Sequence, residues 1–279
     1  MSRAEQAIVG LLVVIWIPGL LALVEVWSRV EYASHGFLVP VVALWAATAH
    51  REALAQIEPR PLPGGRLLLA ALAPIYLAAL VLGNPTLIGV VAVATVVVAV
   101  LALRGLAWVR VLRFSLAYLL FMVPLPLSWV MPVIVKLQLW ISQLAVELLQ
   151  LQGVAIYREG NVLALPGGVE LFVAEACSGI TSLITLIPIG VFIAYFTDVV
   201  LWRRVALVVA VIPIALAGNL LRVMLTVWLS IEVSVEFATT GPLHEWAGVL
   251  TYVIGCLLLL GVGALLRRVG PRPDAVSGS

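Results

Sequence analysis

Long apolar runs separated by short polar breaks dominate the chain. Eight stretches read as membrane spans, near residues 6–26, 36–50, 66–83, 86–103, 107–125, 178–200, 204–230 and 243–266. A hydrocarbon core about 30 Å thick asks for about 20 helical residues, and the second stretch is the shortest fit. Proline, glycine and asparagine punctuate the runs at 61–63, 84–85, 124–126 and 166–168. The first run follows Arg3 but lacks a small-residue cleavage site leading into a soluble domain. It is therefore read as a retained helix.

Two segments break this rhythm. Residues 128–150 are apolar but carry Lys136, Gln138, Gln143, Glu147 and Gln150. The last three recur at spacings of four and three, a polar stripe on one helical face. The pattern predicts an interfacial helix rather than a ninth span. Residues 153–174 alternate short β-prone runs with the turn signals Arg158-Glu159-Gly160-Asn161 and Pro166-Gly167-Gly168. They predict a small hairpin outside the bilayer. The expectation is thus an all-α integral membrane protein, one polytopic domain over residues 1–279. It comprises about eight transmembrane helices, the interfacial helix 128–150 and an extracytoplasmic segment 151–176 with its β-hairpin.

Charge orients this bundle. With a cytoplasmic N-terminus and a non-crossing 128–150 helix, Arg3, Arg51, Arg60, Arg66, Arg104, Arg110, Arg113, Arg203, Arg204, Arg267, Arg268 and Arg272 face inward. Arg29, Lys136 and Arg158 face outward, and Arg222 lies within the membrane. That asymmetry follows the positive-inside rule. If 128–150 crossed, Arg203, Arg204, Arg267 and Arg268 would be turned outward.

Composition agrees with a bilayer as solvent. Of 279 residues, 63% are hydrophobic and 11% charged, and the mean hydropathy is +1.18. Soluble domains carry roughly 25% charged residues. A net charge of +2 with no basic stripe interleaved with aromatics excludes nucleic acid as a partner. Two cysteines allow at most one disulfide, and Cys256 lies deep in an apolar run, which argues against one. No His-Glu-x-x-His run or Cys/His cluster suggests a metal, and no cofactor motif is present.

Against this background three reactive side chains stand out. Cys177 opens the sixth stretch, His244 opens the eighth, and Arg222 lies about eight residues, or roughly 12 Å, below the outer end of the seventh. The topology brings all three to the outer leaflet. A thiol at a helix N-terminus near a cation is poised to ionise. An imidazole is suited to take its proton, and a guanidinium to hold an oxyanion. An arginine inside a span costs at least ~2.5 kcal/mol and marks a protein interior or a wet cavity. Asn219 shares its face three residues earlier. Glu175 and Ser178 flank the cysteine, and His35 is a second base candidate on the outer side. Each residue has a bland reading: a buried thiol, a structural ion pair, a capping histidine.

The ordered pieces Ala176-Cys177-Ser178-Gly179-Ile180, Asn219-Leu220-Leu221-Arg222 and His244 resemble the exosortase/archaeosortase family. So do Ser34-His35-Gly36-Phe37-Leu38-Val39-Pro40 and the run from Gly153 to Val162. The resemblance spans about residues 30–265. It implies a membrane cysteine endopeptidase and transpeptidase of the plasma membrane, acting at the extracytoplasmic face without a cofactor. Its partners would be exported proteins ending in a short motif, a transmembrane helix and a basic tail, together with membrane lipid. It assigns Cys177 as nucleophile with Arg222 and His244 as partners. The rival is a multi-span transporter using Arg222 as an anion site, which would require broken helices in repeated halves. A pure assembly protein would need none of the three residues.

Overall fold

A computed structural model describes residues 3–160, 162–166, 168–172, 180–240 and 242–269. They fold into twelve α-helices and one small sheet, arranged in two compact units that meet in sequence between Pro126 and Leu127.

The first unit holds α1 (Arg3–Arg29), a 3-10 turn (Glu31–Phe37), α2 (Leu38–Thr48), α3 (Arg51–Ala55), α4 (Gly65–Val81), α5 (Pro85–Arg104), α6 (Leu106–Val111) and α7 (Arg113–Tyr118). A second 3-10 turn, Leu119–Met122, follows α7. The α4–α5 break has a local cause. Asn84 accepts a hydrogen bond from the Leu87 amide at 3.0 Å, and Pro85 occupies the first helical turn. Both are helix-start signals. Trp27 packs its indole against Gly36 so closely that no β-carbon would fit there, and its Nε1 donates to the Met122 carbonyl at 3.1 Å.

The second unit holds α8 (Leu127–Leu151), strands β1 (Tyr157–Glu159), β2 (Val162–Leu165) and β3 (Val169–Phe172), then α9 (Ile180–Thr197), α10 (Leu201–Glu232), α11 (Val235–Thr240) and α12 (Pro242–Val269). The predicted hairpin is a three-stranded antiparallel meander, with Arg158 opposite Leu163 and Leu163 opposite Leu171. Its inner face is buried. Ile156, Leu163, Leu165 and Leu171 join Ile141, Ala145 and Leu149 of α8 and Val223 and Val227 of α10 in one core. Two sheet faces cannot both be wet in so small a sheet, and burial on α8 and α10 supplies the missing apolar layer.

An all-α membrane protein is what the helices show, while the count of eight spans is not confirmed. Among the described residues, five helices are long and apolar enough to cross a membrane: α1, α5, α8, α10 and the stretch Gly248–Val269 of α12. Shorter apolar helices are Gly65–Val81, Arg113–Met122 and Ser182–Thr197. The predicted 107–125 span is broken at Leu112, between the two arginines Arg110 and Arg113. The remaining ten-residue piece from Arg113 to Met122 reaches only ~15 Å. The second predicted span is the eleven-residue α2.

Helix α8, expected as the interfacial helix 128–150, also has the length and hydropathy to cross a membrane. The polar stripe that suggested an interface also makes hydrogen bonds within the protein. Gln143 donates to Glu147 at 2.9 Å, and Gln150 donates to the Ile156 carbonyl at 2.8 Å.

Candidate functional site

The candidate site is built on α9, α10 and α12, which pack together with α10 antiparallel to the other two. Small residues fix their register. Gly190 of α9 abuts Val211 of α10, and Gly255 of α12 abuts Leu186 and Ile214. A β-carbon at Gly218 would stand 3.0 Å from Thr251, and one at Gly263 would stand 2.9 Å from Leu207. Positions on α12 therefore rise as those on α10 fall.

This register sorts the charged residues to two ends. At one end lies the α9–α10 turn. Arg203 pairs with Asp198 at 3.6 Å with both side chains buried, and Arg204 donates to the carbonyls of Asp198 (2.7 Å) and Tyr195 (3.1 Å). Arg267 of α12 donates to the Thr197 carbonyl at 3.2 Å. Cations at a helix C-terminus satisfy its last carbonyls and its dipole. These arginines, counted above as a topology signal, therefore also close the end of α9.

At the other end lie the first turn of α9, the C-terminal third of α10 and the first turns of α12. Counting ten residues back from Gly190 and ten forward from Val211 brings Ile180, the first residue of α9, level with Leu221, next to Arg222. The Arg222 guanidinium lies against α12. A β-carbon on Gly248 would be 3.6 Å from Nη2, 3.8 Å from Cζ and 3.9 Å from Nη1. His244 is four residues before Gly248, one turn along the same face of α12. Its backbone stands in the first turn of that helix, while its side chain lies outside the described residues. Cys177, Glu175 and Ser178 lie outside the described residues, in the seven that join β3 to α9.

Helix α10 presents the arginine from a regular buried edge. Arg203, Leu207, Val211, Ala215, Asn219, Val223 and Val227 recur every four residues on its enclosed face. Asn219 is fully buried on that face, with none of its surface exposed. Thr226 donates to the Arg222 carbonyl at 2.9 Å, and Ser230 to the Thr226 carbonyl at 2.7 Å. The helix continues ten residues beyond Arg222 to Glu232, or ~15 Å, somewhat deeper than the 12 Å read from the sequence. It is unbroken through Arg222, unlike the discontinuous helices that build transporter anion sites.

Two further predicted positions have settings of their own. His35 belongs to the first unit, in the turn Glu31–Phe37. Its Nε2 is 2.9 Å from the Phe121 carbonyl, to which it donates, and burial holds the imidazole pKa below its usual value. Cys256 packs in the core of Leu186, Val211, Ala215 and Leu259, as its mid-span position suggested. Among the described residues no group of three or more His, Cys, Asp or Glu side chains could hold a metal. The sequence reading missed Gly248, Thr226 and Ser230. The available signal was spacing: Gly248 is four residues after His244, and Thr226 four after Arg222.

No curated protein and no solved structure matches the chain. The transmembrane exosortase family model matches residues 27–261, which includes every helix from α2 to α11 and most of α12. By that match the chain belongs to the transmembrane exosortase family, a group of multi-pass membrane transpeptidases.

Proposed function

We propose that this protein cleaves the C-terminal sorting signals of exported proteins at the extracytoplasmic face of the plasma membrane, through a thioester on Cys177. The observation that carries the reading is the seat of Arg222. Its guanidinium rests on Gly248, one turn from His244, at the level where α9 begins three residues after Cys177.

In the proposed chemistry His244 takes the proton from the Cys177 thiol, and the thiolate attacks the scissile carbonyl. The carbonyl oxygen gains negative charge in the tetrahedral intermediate, and the Arg222 fork donates to it. Asn219, enclosed one turn below, supports the arginine from the same helix. Collapse expels the amine of the signal peptide, which receives the proton held by His244. An acceptor nucleophile then gives its proton to His244 and attacks the thioester. The sulfur leaves as thiolate and takes that proton back, which restores the thiol and the neutral imidazole. Glu175, two residues before the nucleophile in sequence, would orient the base or bind substrate, and Ser178, the next residue, would support the nucleophile. A substrate helix would approach laterally, since the site lies near the end of the α9–α10–α12 set.

The test is cleavage of a tailed reporter in membranes, compared at matched protein levels. Cys177→Ala and Cys177→Ser should leave the reporter full-length. Arg222→Lys should also fail, because an ammonium does not reproduce a planar fork of donors. Full processing by Cys177→Ala would end the cysteine-peptidase reading and return Arg222 to the anion-transport alternative.

A further inference from the structure

In the first unit α1 and α5 run antiparallel, with Glu5 of α1 beside Arg104 of α5. Between them lies an apolar cavity of about 610 Å³. One helical face of α1 (Val9, Val13, Leu20) and one of α5 (Val96, Val100) wall it, and Arg104 stands at one end. Val9, Val13 and Val96 are 38%, 58% and 41% exposed, so the cavity opens sideways toward the surroundings of the helices. The volume falls within the roughly 300–1,000 Å³ of small-molecule sites. From Val9 to Leu20 the wall runs ~17 Å, about half of the ~30 Å hydrocarbon thickness, which is the depth of one leaflet.

The charged end is a cation that keeps donors to spare. Arg104 sits 3.6 Å from Glu5 and 5.4 Å from the centre of the Trp108 ring. One carboxylate at that distance uses at most two of the five guanidinium N–H groups. The 56–64 loop is tied to the same end. Arg60 donates its amide to the Arg104 carbonyl at 3.1 Å, and Trp108 Nε1 donates to the Ile57 carbonyl at 3.4 Å. In sequence, the 56–64 loop and α6, which adjoin this end, carry Arg60 and Arg110 beside Arg104, against Glu58 and the Glu5 of α1. A transmembrane segment with a basic tail would meet like charge at this end.

We infer that the α1–α5 cavity is a binding site for an anionic phospholipid, with an acyl chain between the two helices and the phosphate at Arg104. Basic pockets between membrane helices take anionic headgroups in this way, and Arg matches phosphate as a two-donor fork.

Native mass spectrometry of the full chain in detergent tests this, with phosphatidylglycerol and phosphatidylcholine of identical acyl chains as probes. The wild type should retain phosphatidylglycerol preferentially. Arg104→Gln should cut that preference about fivefold, the equivalent of ~1 kcal/mol for one basic residue. Glu5→Gln should raise it, which protects the test should Arg104→Gln fail to fold. Ala99→Phe, which fills the cavity from α5, should lower retention of both lipids. Equal retention of the two lipids by the wild type would overturn the assignment. So would indifference to Ala99→Phe, or displacement of bound phosphatidylglycerol by a transmembrane peptide with a basic tail.

Discussion

The Arg222 guanidinium lies against α12 at Gly248, with Nη2 3.6 Å from where a β-carbon would stand. The contact joins two helices at one level and leaves the arginine little freedom to shift toward α12. It also makes Gly248 a measurable part of the proposed site. A methyl at 3.6 Å is in ordinary van der Waals contact, so Gly248→Ala should keep most activity. Gly248→Leu should displace the guanidinium and cost ~1–3 kcal/mol of packing. A shift of about 1 Å in a transition-state donor costs on the order of 100-fold in rate. Reporter cleavage by the two variants at equal membrane insertion checks this, and equal activity would uncouple Gly248 from Arg222.

Cys256 separates thiol chemistry from thiol packing. It sits among Leu186, Val211, Ala215 and Leu259, where the side chain fills space. Cys256→Ala should lower stability by about 1 kcal/mol and leave cleavage intact. Loss of cleavage in a folded Cys256→Ala protein would contradict the assignment of the nucleophile to Cys177.

The α9–α10 turn should be a point of stability. Asp198 and Arg203 form a pair buried on both sides, and removing one partner strands the other charge. Arg203→Ala should destabilise the second unit by about 3–5 kcal/mol. Thermal unfolding in detergent measures it. Arg203→Ala combined with Asp198→Ala should recover part of the loss, because no lone charge is then left buried.

Helix α8 can be placed by labelling. The arginine distribution favours an interfacial α8, whereas its 25 residues are sufficient to cross. Cysteines introduced at Leu125 and at Glu159, in a background lacking Cys177 and Cys256, should react with an impermeant reagent from the same side. Reaction from opposite sides would make α8 a span and invert every later loop.

His35 predicts a pH dependence for the first unit. Burial lowers its folded-state pKa below the ordinary value of about 6.5. As pH falls below that value the unfolded chain takes up the proton first, so stability is full above it and declines toward the depressed folded pKa. Thermal unfolding between pH 8 and 5 should show this loss, and His35→Gln should flatten it. An unchanged slope in the variant would remove His35 as the cause.

The sequence by itself determined the solvent and the cast. Long apolar runs could only be lipid-facing helices, because hydrocarbon leaves no other partner for backbone polar groups. An arginine in mid-run could only face protein or water, and Cys177 and His244 stood at run ends whatever the packing. What the sequence could not determine depended on contacts between distant segments. Arg110 and Arg113 divide one apolar run, yet only the packed chain turns that division into a break at Leu112. Periodicity showed the stripe Gln143–Glu147–Gln150, but not its partners, one on its own helix and one at Ile156. Arg222 needed a neighbour, and spacing tied Gly248 to His244 but not to Arg222. The antiparallel register of α10 and α12, set by glycines at 218, 255 and 263, decided it.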